Sequence, residues 1–263
     1  MGNKSQILTV ICLLITAISA WDLQGENVTK LTGSEATLRC TYQKPEDYDA
    51  KYFHEWRDGV TGSTLFFNHT NVQDISRMSI AYGEGWMTLT IRDITLSDEK
   101  PYRCTLSGSG ISQRADALLT VEQIPQHVHV TNLEVSPRHG TEAAIAKCSS
   151  SGSKPAPTMW FTDSLGQKVD VANAEIHTTD PETKLVDSAL TLEKTFYKDD
   201  NGEIYKCHVK HHNSPVITKE TNPVNVQYET TAYLTNAGQN ELLQEGSSLA
   251  VSCNAEGKSF PNS

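Results

Sequence analysis

An all-β chain of tandem two-sheet sandwiches is predicted by three observations. A Cys…Trp…Tyr-x-Cys series occurs twice, first as Cys40, Trp56 and Tyr102-Arg103-Cys104, then as Cys148, Trp160 and Tyr205-Lys206-Cys207. Leu249-Ala250-Val251-Ser252-Cys253 begins the series a third time, and residue 263 arrives before a Trp or a second Cys. Short segments such as Met87-Thr88-Leu89-Thr90-Ile91 alternate strictly between apolar and polar, as half-buried strands do.

A Cys pair bracketing a Trp, with a Tyr two residues before the second Cys, is the frame of the immunoglobulin-like β-sandwich. The cysteines bridge the sheets, the Trp packs on the bridge, and the Tyr hydroxyl bonds back to the backbone of a corner. The fold class is therefore all-β, with tandem immunoglobulin-like sandwiches: variable-type over 21–123, constant- or intermediate-type over 124–227, and an incomplete third from 228 to 263. Cys40–Cys104 and Cys148–Cys207 are the expected disulfides. Each closes a loop of about sixty residues, worth about 4 kcal/mol on the chain-entropy account. Trp56, Trp160, Tyr102 and Tyr205 are the expected core residues.

Composition narrows the function. Residues 1–20 carry one cation, Lys4, then the apolar run from Ile7 to Ile18 and the small-residue end Ile18-Ser19-Ala20. That is a secretory leader, since a run of about twelve apolar residues is short for a membrane span. Removing it takes Lys4 from the 22 Lys+Arg, leaving 21 against 32 Asp+Glu, a net charge of −11. An acidic surface excludes nucleic acid, which demands cations to displace its counterions, and disfavours anionic lipid. Cys12 leaves with the leader, so five of the six cysteines remain for an oxidising, extracellular setting, and Cys253 is the odd one.

Strands and turns follow in order. Gly33-Ser34-Glu35 turns into Ala36-Thr37-Leu38-Arg39-Cys40, and an acidic loop over 43–51 lengthens the approach to Trp56. Leu65-Phe66-Phe67 is an extra short strand, which with the 64-residue cysteine spacing points to the variable type. Arg77 lies 21 residues before Asp98, the spacing of an ion pair across the bottom of a variable-type barrel. Gly108-Ser109-Gly110 makes a hairpin tip before Ala117-Leu118-Leu119-Thr120-Val121. A short hinge, Glu122–Gln126, leads to the second repeat, with Asp199-Asp200-Asn201-Gly202 as a turn before Tyr205. Glu245-Gly246-Ser247-Ser248 repeats the turn chemistry that precedes Cys40.

Several segments resemble the nectin and nectin-like (SynCAM-type) cell adhesion molecules. They are Ser153-Lys154-Pro155-Ala156-Pro157-Thr158-Met159-Trp160-Phe161, Asp199–Gly202, Cys207-His208-Val209, Val226-Gln227-Tyr228 and Cys253-Asn254-Ala255-Glu256-Gly257-Lys258, with Leu65–Phe67, Ser76-Arg77 and Ile94–Glu99 in the first repeat. The resemblance runs from about residue 25 to the end. It implies a cell-surface protein whose first domain pairs with another immunoglobulin-superfamily protein, homophilic or heterophilic, through strands C, C′, C″, F and G. Carried over by position, the contact candidates are Phe66, Phe67, Arg103 and Thr105. Two departures stand out: Asn68-His69-Thr70 is a glycosylation acceptor on the expected C′ edge, and Lys100-Pro101 replaces the usual corner Gly.

Alternation decides between the two phenylalanines. Asn68 shares a strand face with Phe66, and its sequon needs solvent, so Phe66 is expected outward as the binding anchor and Phe67 inward in the core. Asn27 and Asn68 are the expected glycosylation sites. His208, His211 and His212 read as solvated loop histidines, and Glu46-Asp47-Tyr48-Asp49 lacks the Gly-punctuated spacing of a calcium loop. No metal, cofactor, phosphate loop or nucleophile motif is expected, hence no enzyme. The chain reads as the extracellular part of an adhesion or recognition receptor. The alternative is a secreted recognition protein or decoy for a glycan or microbial surface. An apolar span after Ser263 would place the chain at the plasma membrane.

Overall fold

The computed structural model describes residues 22–43, 52–108, 111–133, 135–212, 214–236, 245 and 251–258. The leader, most of the acidic loop, the Ser109-Gly110 tip and the turn at 246–248 lie outside these. The chain divides into two units, residues 1–121 and 122–263.

The first unit contains β1 (Gln24–Glu26), β2 (Val28–Leu31), β3 (Ala36–Thr41), β4 (Phe53–Asp58), β5 (Thr64–Phe67), β6 (Thr70–Asn71), β7 (Met78–Gly83), β8 (Trp86–Ile91), β9 (Lys100–Gly108) and β10 (Ile111–Glu122). One sheet has the order β1-β3-β8-β7 and the other β2-β10-β9-β4-β5-β6. Inward residues of both sheets form one core, in which Leu38, Met87, Leu89, Tyr102, Leu106 and Leu119 are fully buried. Cys40 and Cys104 bridge the sheets, and Trp56, 1% exposed and in register with Cys104, packs in that core.

The corner before β9 is held by charge. The Asp98 carboxylate accepts hydrogen bonds from Arg77 (Nη1 to Oδ2, 2.8 Å), from the Thr95 amide (2.8 Å) and from the Thr95 hydroxyl (3.0 Å). Burial pushes this carboxyl up, but Arg77 and Thr95 outweigh it and hold it below the usual range. The Tyr102 hydroxyl donates to the Asp98 carbonyl at 3.2 Å. Lys100 and Pro101, the departure from the usual corner, are accommodated: Lys100 Nζ reaches Asp58 Oδ2 at 2.5 Å, and the Pro101 carbonyl accepts from the Gly59 amide at 2.9 Å.

The second unit contains β11 (His127–Asn132), β12 (Thr141–Ser153), β13 (Thr158–Thr162), β14 (Lys168–Val169), β15 (Ile176–Thr179), β16 (Val186–Phe196), β17 (Lys206–Lys210), β18 (Ile217–Glu220), β19 (Tyr228–Asn236) and β20 (Val251–Lys258). Its two four-stranded sheets, β11-β12-β16-β15 and β14-β13-β17-β18, enclose a core around the Cys148–Cys207 bridge. Its corner uses Lys194 in place of arginine: Lys194 Nζ and the Tyr205 hydroxyl both bond Asp200 Oδ1, at 2.9 and 2.8 Å. β19 and β20 form a separate two-stranded ladder carrying the free Cys253.

Three expectations are corrected here. Trp160 is not a core residue. Phe161, 0% exposed, stands in register with Cys207 as Trp56 does with Cys104, so Met159 and Phe161 face inward and the pleat turns Trp160 outward onto His208. Phe66 and Phe67 are exchanged: Phe66 is 3% exposed and Phe67 43%. A β-bulge opposite Trp56 and Arg57 lets Leu65 and Phe66 both face the core. Asn68, at φ 46°, belongs to the two-residue turn linking Phe67 to its partner Thr70, so strand alternation does not carry through it. Lastly, among the three histidines only His212 is exposed; His211 is 1% exposed and bonds the Lys154 carbonyl at 3.0 Å, because β17 runs on to Lys210.

Candidate functional site

The outer face of β4, β5, β9 and β10 carries the candidate binding residues. Trp56 fixes the parity of β4: His54, Trp56 and Asp58 point in, and Phe53, Glu55 and Arg57 point out. The ladder then sets the neighbours. Arg57, Arg103 and Asp116 form one cross-strand row, Glu55, Thr105 and Arg114 the next, and Phe53, Ser107 and Ser112 a third.

Phe67 and Phe53 form the apolar patch of this face. Both are exposed, 43% and 45%, and their rings stack at 5.5 Å with 21° between planes. Each shields one side of the other from water and offers the opposite side outward. The turn behind Phe67 is anchored by a two-way clasp: the Asn68 amide donates to the His54 carbonyl at 2.7 Å, and Asn68 Oδ1 accepts from the His54 amide at 3.0 Å. His54 is itself buried, stacked on Tyr82 at 4.1 Å. Burial first, then the nearby His69, lowers its pKa to about 4, so it is neutral at physiological pH.

Arg103 lies on the face as expected, with its Nε and Nη2 on Asp116 at 2.7 and 2.9 Å. Thr105 has the outward parity but is only 5% exposed, so it is the floor of a notch and not a free contact residue. Its flanking neighbours, Glu55 and Arg114, are long enough to cover it. Phe53 was absent from the sequence-derived candidates, although its odd offset from Trp56 marks it as outward. Asn27 is exposed between β1 and β2, and its Oδ1 accepts from the Leu118 amide at 3.0 Å. No group of three or more metal-ligating side chains occurs among the described residues, and no described helix is long and apolar enough to cross a membrane.

Two disulfide-bridged sandwiches, one with a built-in ion-pair corner and an open aromatic sheet face, make a tandem immunoglobulin-like fold. The CD80-like C2-set immunoglobulin domain family matches residues 128–216. Cell adhesion molecule 3 of Xenopus laevis is 25% identical over 88% of this chain and 56% of its own length. Cell adhesion molecule 2 of Xenopus tropicalis is 26% identical over 90% of the chain and 52% of its own length. The chain thus spans about half the length of the curated relatives it matches. The solved three-domain ectodomain of mouse nectin-like molecule 4 superposes with a TM-score of 0.63 at 22% identity, covering 88% of this chain and 76% of that one. The chain has the tandem immunoglobulin fold and is similar in sequence to cell adhesion molecules 2 and 3.

Proposed function

We propose that the chain is the extracellular part of an adhesion or recognition receptor. Its first domain, residues 21–123, binds an immunoglobulin-type cell-surface protein through the outer face of β4, β5, β9 and β10. The observation that carries this reading is the exposed Phe53–Phe67 stack on the outer sheet face, beside the charged side chains of Glu55, Arg57 and Arg103. A rigid aromatic patch beside charged side chains has the composition of a protein-binding hot spot. The second domain, 124–227, and the strands from 228 onward act as spacers that present it. Two disulfides suit an oxidising exterior, and Asn27 and Asn68 carry glycans.

Phe67→Ala tests this. Beads bearing the full chain are scored for clustering with one another and for attachment to a panel of cells. Truncating a central aromatic costs about 2 kcal/mol, roughly thirtyfold in affinity, so whichever contact the wild type makes is lost while the disulfide-bonded fold is retained by circular dichroism. A Phe67→Ala chain that folds and binds as the wild type does removes this face from consideration.

A further inference from the structure

The same face holds a feature that the aromatic stack does not explain. A cleft of about 180 Å³ opens between the rows, lined by Glu55, Arg57, Arg103, Thr105 and Arg114. Two of its three arginines are engaged: Arg57 Nε lies 2.9 Å from Glu55 Oε1, and Arg103 grips Asp116. Arg114 is exposed and makes no ion pair among the described residues. On the floor, the Thr105 hydroxyl is shielded from solvent and has no hydrogen-bond partner. Unpaired buried polar atoms are uncommon and destabilising in a folded chain. One unmatched cation and one unmatched hydroxyl therefore line one notch, in a chain whose net charge is −10.

We propose that the notch receives a carboxylate side chain of the partner protein, an aspartate or glutamate. The Arg114 guanidinium turns outward to pair with its two oxygens, which uncovers the Thr105 hydroxyl beneath it to donate to one of them. A carboxylate matches the fork of a guanidinium and accepts from a hydroxyl without a proton of its own. The volume is below the usual range of small-molecule pockets, so it admits the end of a side chain and not an oligosaccharide. Glu55, in register with both Thr105 and Phe67, joins the notch to the aromatic stack. The partner therefore presents an acid beside an apolar patch. This inference rests on the reading of the face as the binding surface.

Thr105→Val and Arg114→Gln are made in the full chain and compared with Phe67→Ala in the same attachment assay. Each notch variant should weaken attachment at least tenfold, and Arg114→Gln should also flatten its salt dependence. Thr105→Val should hold or raise the melting temperature, because it removes an unpaired hydroxyl; a purely structural threonine would leave attachment unchanged. If Phe67→Ala abolishes attachment while both notch variants bind fully, the notch is overturned and the face stands. If Phe67→Ala binds fully, the face reading itself falls. As a direct probe, sodium acetate is titrated at constant ionic strength against the amide resonances of Thr105 and Arg114. Saturable shifts, absent with chloride and lost in Thr105→Val, support the assignment. No acetate-specific shift overturns it, as does a response confined to N-acetylneuraminic acid, which would assign the notch to a sialylated glycan.

Discussion

Phe66 and Phe67 are adjacent, chemically identical and opposite in burial, so replacing each with alanine separates packing from binding. Phe66 is 3% exposed, set by the bulge against the core around Trp56. Deleting a buried phenyl ring commonly costs about 3–5 kcal/mol in lost burial and residual cavity. At about 4–5 °C per kcal/mol for a domain of roughly 100 residues, the first unit should melt about 12–25 °C lower. Phe67 is 43% exposed and its ring stacks on the similarly exposed Phe53, so its loss should cost about 1 kcal/mol or less. Differential scanning calorimetry of the intact chain reads both values. Because Phe66→Ala consumes much of a domain's usual stability, Phe66→Leu serves as a milder companion with a smaller downshift in the same direction. Equal downshifts for Phe66→Ala and Phe67→Ala, or a larger one for Phe67→Ala, would refute the bulged register and with it the assignment of the outer face.

Two further outcomes are expected. Phe161→Ala should destabilise the second unit by about 3–5 kcal/mol, whereas Trp160→Ala should cost about 1 kcal/mol, measured by denaturant midpoints; a Trp160 cost equal to that of Phe161 would contradict the β13 parity. Burial raises the Asp58 carboxyl, but Lys100 and the amides of Thr61 and Val60 outweigh it and bring it to about 2, below the usual 3.8. A depressed acid stabilises the fold above its unfolded pKa and loses that contribution as pH falls through the folded one. Discounted for solvent screening, about 1 kcal/mol should vanish between pH 4 and pH 2. Lys100→Met should flatten that acid limb, and an unchanged limb would show that the pair contributes nothing.

The alternation that predicts strands also predicted their faces wherever a strand runs straight. In β8, Met87, Leu89 and Ile91 are buried as their alternation requires, while the motif placed Trp56, Tyr102 and Tyr205 in the core and the Arg77–Asp98 spacing gave the ion pair. In β13 the pattern Thr158-Met159-Trp160-Phe161-Thr162 already carries the correct answer, with Met159 and Phe161 on one face. The Trp was read by its identity and not by its parity. The error at Phe66 and Phe67 has a different origin. It depends on a bulge and on a left-handed Asn68, and neither has a periodicity in sequence.

The amino-acid sequence by itself determined the tandem sandwiches, both disulfide pairings and the ion-pair corner of the first unit, because those follow from residue types at characteristic spacings along the chain. The tertiary structure alone decided that Phe53 and Phe67 stack, that Thr105 lies unpaired beneath Arg114, and that Phe161 replaces tryptophan beside its bridge. These depend on the register between one strand and the next. One residue of slip or bulge exchanges the two faces of a strand, and only the packed core determines which register is adopted.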